Sequence, residues 1–109
     1  MNVELPEPVA LYLSEENADG VDCIERCFTA DAEVRDEGQA IRGWEAIRAW
    51  KRSAKARYQY RVEPLSAERQ GEQLRVHVRT TGNFPGSPVE LDYTIVLAGD
   101  RIASLEIRG

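Results

Sequence analysis

The chain has 109 residues, 42% apolar and 30% charged, with a net charge of −5, the size and balance of one globular domain. That composition is too apolar for a disordered chain and too polar for a membrane protein, and its acidity argues against a general affinity for nucleic acid. No apolar run approaches the roughly 20 residues of a membrane span, and Met1-Asn2-Val3-Glu4 has no signal-peptide character, so a cytoplasmic setting is the expectation.

Pro6 and Pro8 suit a first helical turn, and Val9, Tyr12, Leu13 and Glu16 then recur at helical spacing, which predicts a helix from about Pro8 to Glu16. Asn17-Ala18-Asp19-Gly20 breaks it. Asp19 can cap a second helix whose apolar stripe is Val21, Ile24, Cys27 and Phe28. Cys23 and Cys27, four apart on one helical face, are poorly aimed for a disulfide and read as buried thiols. With His77 as the single histidine, no structural metal is expected.

From Ala32 the period becomes two: Ala32, Val34 and Asp36 share one face of a short strand, and Glu33 and Arg35 take the other. Asp36 therefore falls on the less polar side. Glu37-Gly38-Gln39 turns the chain, Gly43 precedes a third helix, and Trp44, Ile47, Trp50 and Ala54 form that helix's buried stripe. Arg42, Arg48, Lys51, Arg52, Lys55, Arg57 and Arg61 face only one acid in the same stretch, Glu45. Basic residues mixed with Trp44, Trp50, Tyr58 and Tyr60 can form a nucleic-acid platform. No recognised nucleic-acid motif accompanies them, so the segment reads as a solvated helix face whose charges attract acids elsewhere.

The remainder reads as strands. Tyr58, Tyr60 and Val62 alternate with Gln59, Arg61 and Glu63 up to Pro64, and Leu74, Val76 and Val78 alternate with Arg75, His77 and Arg79. Residues 83–88 are dense in turn formers, Val89, Leu91, Tyr93, Ile95 and Leu97 mark a strong strand, and Gly99-Asp100 turns into a last strand near Arg101 to Ile107. Helices followed by antiparallel strands make an α+β domain with helices packed on one face of a curved sheet, one unit over residues 1–109.

The stretch Cys27-Phe28-Thr29-Ala30-Asp31-Ala32-Glu33-Val34-Arg35-Asp36, followed by Arg42-Gly43-Trp44-Glu45-Ala46-Ile47, resembles the nuclear-transport-factor-2-like (NTF2-like) superfamily, which includes SnoaL-like polyketide cyclases and ketosteroid isomerases. The resemblance lies in a helix end, a "DA-x-V-x-D" strand and a "G-x-x-x-I" third helix, and the order of elements agrees over nearly the whole chain. It implies a cone: three N-terminal helices on a strongly curved, mostly antiparallel sheet around an internal pocket for a small hydrophobic ligand, commonly in a homodimer. No cofactor is implied.

The isomerases carry a tyrosine on the first helix, a general-base aspartate at the end of the first strand and a second acid on a late strand. Carried over, these positions fall on Tyr12, Asp36 and Asp92. The resemblance implies that Asp36 moves a proton next to a ketone while Tyr12 and a neutral Asp92 donate hydrogen bonds to the enolate oxygen, with Phe28, Trp50 and Phe84 lining the pocket. Other readings stand beside these. Asp36 can cap the turn that follows it, and Tyr12 can be a core residue. Alternation puts Glu90, Asp92 and Thr94 on a solvent-like face. The family architecture reverses this if the Val89 to Leu97 row is a dimer contact.

His77, between Arg75 and Arg79, reads as a surface residue. Three features depart from the isomerase pattern: Phe28 replaces a further tyrosine, Glu37 replaces a proline after the base, and the chain stops at Gly109. The fold hosts enzymes and binders alike. An isomerase or cyclase is one expectation, and a non-catalytic ligand-binding or dimerisation domain is the other.

Overall fold

The computed structural model describes residues 4–17 and 24–109, without the side chains of residues 15–17. In chain order these form α1 (Glu7–Asn17), α2 (Ile24–Cys27), β1 (Phe28–Asp36), β2 (Gln39–Arg42), α3 (Trp44–Tyr58), β3 (Arg61–Gln70), β4 (Gln73–Thr81), β5 (Val89–Ala98) and β6 (Arg101–Arg108). The strands make one curved, unclosed sheet in the order β2-β1-β6-β5-β4-β3. β1 and β6 pair in parallel and every other neighbouring pair is antiparallel.

The helices cover one sheet face and create the core there. Val9 and Tyr12 of α1, Ile24 and Cys27 of α2 and Ile47 of α3 are buried against Val34, Val76, Val78, Ile95, Ile102 and Leu105. Each aliphatic side chain so buried stabilises the fold by about 1.5–3 kcal/mol. The alternation seen in the sequence is kept: Leu74, Val76 and Val78 point inward, and Arg75, His77 and Arg79 lie on the other face. Pro64, which cannot donate to a ladder, lies on edge strand β3, where the register slips between Pro64 and Ser66.

Several expectations change. The third helix follows β1, as the sequence predicts, and also β2, so the three helices are only loosely grouped at the N-terminal side. Phe28 begins β1, paired with Ile102, and does not continue the helical stripe. Residues 39–42 are a strand, β2, because Glu37 (φ 51) and Gly38 (φ 79) form a two-residue hairpin turn closed by the pair Asp36 and Gln39. A proline at position 37, with φ fixed near −65°, could not make this turn, which accounts for the departure from the isomerase pattern.

Tyr58 ends α3 instead of opening a strand: Gln59 takes the left-handed C-cap (φ 47), its N–H donating to the Lys55 carbonyl at 2.9 Å, and β3 starts only at Arg61. The Val89 to Leu97 row faces inward, with Tyr93, Ile95 and Leu97 buried, so the homodimer argument from an outward apolar row fails. The expected helix start at Asp19, and Val21 and Cys23, fall outside the described residues; Cys27 is buried.

Candidate functional site

Curvature of the sheet, the C-terminal half of α3 and the loop at residues 82–88 enclose a hollow of about 620 Å³. β1 supplies Asp36, α3 supplies Trp50, Ala54 and Tyr58, and Thr80, Leu91, Tyr93 and Ile107 line the sheet side. Phe84 and Pro85 form the rim, where the Phe84 ring meets Tyr58 edge-on at 5.8 Å. The wall is mainly apolar and aromatic with a few polar groups, the usual composition of a small-molecule site.

Asp36 is its best-placed titratable group. Strand alternation that buries Ala32 and Val34 turns Asp36 inward at the strand end, half-buried. The Trp50 indole Nε1–H donates to its Oδ2 at 3.2 Å. This leaves Oδ1 available to a ligand. Burial raises the Asp36 carboxyl above its ordinary range; the Trp50 hydrogen bond opposes this, Glu37 adds to it, and the Lys51 charge opposes it least. A carboxyl so placed takes up and returns protons more readily near neutral pH than a fully exposed one.

Lys51 belongs to the expected solvated basic face, yet only 1% of it is exposed. Its Nζ donates to the Tyr12 hydroxyl at 2.9 Å and the Tyr60 hydroxyl at 2.8 Å, and it lies over the Tyr12 ring 4.5 Å from the centroid. Tyr60 also lines the hollow, so the cation contacts a phenol on the wall. The other basic side chains mostly bind within the fold: Arg48 pairs with Glu25, Arg42 with Glu33 at 3.5 Å, and Lys55 donates to the Tyr60 carbonyl at 2.7 Å.

The six residues expected at the site separate. Asp36, Trp50 and Phe84 line the hollow. Tyr12 and Phe28 do not: both are buried in the core, their rings edge-on at 5.2 Å, with Tyr12 held by Lys51. Asp92 does not either. It lies on the opposite sheet face, where its Oδ1 is 2.8 Å from His77 Nδ1, while Glu90 Oε1 is 2.6 Å from His77 Nε2. His77 is thus a surface residue held between two acids, and the contact with Asp92, then Glu90, raises its pKa.

The sequence reasoning missed Lys51, Tyr60 and Thr80. The spacing Ile47, Lys51, Ala54, Tyr58 puts Lys51 on the inward helical face, and this was the available signal. Among the described residues no group of three or more His, Cys, Asp or Glu is arranged to hold a metal, and no helix is long and apolar enough to cross a membrane.

Residues 9–104 match the SnoaL-like domain. The chain belongs to the SnoaL-like domain family. A solved structure from Sinorhizobium meliloti, of a protein provisionally named a polyketide cyclase, is 38% identical to this SnoaL-like domain over 95% of each chain, with a TM-score of 0.92. A ketosteroid isomerase-like fold from Catenulispora acidiphila, solved with trimethylamine, is 21% identical over 97% of this chain and 87% of its own, with a TM-score of 0.85. A provisionally assigned isomerase of the SnoaL-like family from Agrobacterium tumefaciens is 17% identical over 92% of each chain, with a TM-score of 0.76. These last two likenesses concern the fold alone. No curated protein matches the chain.

Proposed function

We propose that this SnoaL-like domain binds a small, largely apolar carbonyl compound in the hollow and moves a proton on the carbon next to the carbonyl, with Asp36 as the base. The observation that carries this is the half-buried Asp36 carboxyl, one oxygen fixed by Trp50, on an apolar wall. In the forward step Oδ1 takes the proton and the C–H electron pair moves into the enolate. The enolate is then reprotonated at another carbon, giving an isomer, or attacks a second carbonyl, closing a ring.

Negative charge on the enolate oxygen needs an opposing field, and Asp92, the acid that corresponds to the isomerases' second donor, is turned to the other sheet face and bonded to His77. The reading assigns that role to Lys51 acting through Tyr60, whose hydroxyl oxygen accepts the ammonium hydrogen bond at 2.8 Å. The name of the Sinorhizobium meliloti relative is in keeping with carbanion chemistry of this kind.

The test is deuterium uptake by cyclic ketones such as 2-tetralone in D₂O, followed by NMR, and isomerisation of β,γ-unsaturated ketones. A general base contributes about 10²–10⁴-fold. Asp36→Asn should therefore remove most of the acceleration while ketone binding persists. No acceleration by the native chain, or acceleration that survives Asp36→Asn, rejects the proposal.

A second reading is non-catalytic ligand binding in the same hollow. It is favoured by the placement of Tyr12 and Asp92 away from the wall, which leaves Asp36 as the one member of the isomerase trio in the cavity.

A further inference from the structure

Thr80 lies on the inner face of β4 and lines the hollow, with only 8% of its surface exposed. Its cross-strand neighbours on either side are Val62 and Val89, neither of which offers a side-chain acceptor. Its Oγ1 has no hydrogen-bond partner, the one buried side-chain polar atom among the described residues in that position. A buried hydroxyl with no partner is a standing cost, which valine, nearly the same shape, would avoid. The hydroxyl and methyl of threonine exchange places by rotation between staggered wells of one bond, so a ligand oxygen can draw Oγ1 into the cavity.

In the sheet order β6 and β5 lie between β1, which carries Asp36, and β4, which carries Thr80. Asp36 follows the Arg35–Glu106 pair and is level with Ile107, Tyr93 and Val76, and Thr80 lies four residues further along β4, so three interstrand steps and four residues put the two about 20 Å apart along the sheet, and less across its concave face. An extended two-ring body with an oxygen at each end, plus a hydrogen bond of about 2.8 Å at each, suits the interval that the curvature leaves. The wall between is apolar, with Leu91, Tyr93 and Ile107.

We infer that Thr80 is a second anchor in the hollow and that the ligand carries a hydroxyl or carbonyl at the far end of an apolar body from the carbonyl that faces Asp36. The inference rests on the proposed function for which end faces Asp36. It narrows the substrate class to compounds oxygenated at both ends. Thr80 acts here as a positioning and specificity residue: it orients the ligand and does not take part in the proton step.

The experiment compares 4-phenylphenol with the longer two-ended 4,4′-dihydroxybiphenyl, one oxygen against two, by fluorescence titration of the native chain, Thr80→Val and Thr80→Ser. The native chain should prefer the two-oxygen probe by about five- to tenfold, the worth of one net hydrogen bond. In Thr80→Val the ratio should fall to near one, and in Thr80→Ser it should be retained. Thr80→Val should melt at or above the native temperature, because it deletes a polar atom that has no partner.

A native ratio near one, or a ratio unchanged by Thr80→Val, overturns the anchor and leaves the Asp36 reading to its own deuterium-uptake test. A clear fall in the melting temperature of Thr80→Val also overturns it, since the hydroxyl would then be bonded within the fold. Failure of both phenols to bind the native chain overturns the anchor and the ligand-binding hollow together.

Discussion

Replacing Trp50 by phenylalanine isolates the one hydrogen bond that orients Asp36. The phenyl ring keeps an aromatic surface against the hollow and near Lys51, which lies 5.3 Å from the Trp50 ring, while the Nε1–H donor is lost. That donor stabilises the carboxylate over the carboxylic acid, so its removal must raise the Asp36 pKa further above the ordinary value. Hydrogen bonds to charged groups are worth about 1.5–3 kcal/mol when buried. At 3.2 Å, with the carboxyl half open to water, the appropriate figure is about 0.7–1.4 kcal/mol, or roughly 0.5–1 pH unit. The assay is a carbon-13 titration of the aspartate carboxyls, with the Asp36 signal identified by its absence from Asp36→Asn. The acid limb of any deuterium-uptake profile should shift up by the same amount. A midpoint that stays put or moves down in Trp50→Phe would refute the account of what sets this carboxyl, and with it the claim that Trp50 orients the base.

Two further outcomes test the frame around the site. A Cβ at Gly82 would lie 2.8 Å from the Tyr58 carbonyl oxygen and 2.9 Å from Tyr60 Cα, both on the backbone that joins α3 to β3, so Gly82→Ala should cost about 1–3 kcal/mol and lower the melting temperature by several degrees. A melting temperature equal to the native one would show that the close approach is absent in solution. On the outer face, Asp92 and then Glu90 raise the His77 pKa above 6.5, so these contacts add stability that is complete below that value and disappears as pH rises through the higher folded midpoint. Asp92→Asn should lower the midpoint seen by proton NMR and flatten the dependence of the melting temperature in that window. An unmoved midpoint would mean that Asp92 does not bind His77.

The alternation of Ala32, Val34 and Asp36 against Glu33 and Arg35 was enough to turn Asp36 toward the inner face, because a strand buried on one face must sort its side chains by twos. The same rule applied to Val89 through Leu97 put Asp92 on the solvent side, and this is where the structure has it, bonded to His77. The error there came from letting the family likeness override local periodicity. The end of α3 was illegible for a different reason: Tyr58, Tyr60 and Val62 alternate as a strand would, while Ala54 and Tyr58 are also one helical turn apart. Only the left-handed Gln59 cap decides between them, and glutamine carries no strong signal for that conformation.

Lys51 shows why a site can remain hidden when its scaffold is plain. Its spacing from Ile47 and Ala54 points inward, but burying an ammonium costs several kcal/mol unless hydrogen bonds replace water, so charge normally outweighs spacing as evidence. Here Tyr12 from α1 and Tyr60 from the start of β3 both reach Nζ, from 39 and nine residues away in sequence. Neither contact can be read before the elements are packed. The tyrosine on the first helix, Tyr12, is thereby drawn onto a buried lysine, and Tyr60, a residue with no motif around it, is a phenol of the wall that the same lysine contacts. In the proposed mechanism, the opposing field for the enolate therefore comes from Lys51 behind the wall, acting through Tyr60, and not from Asp92.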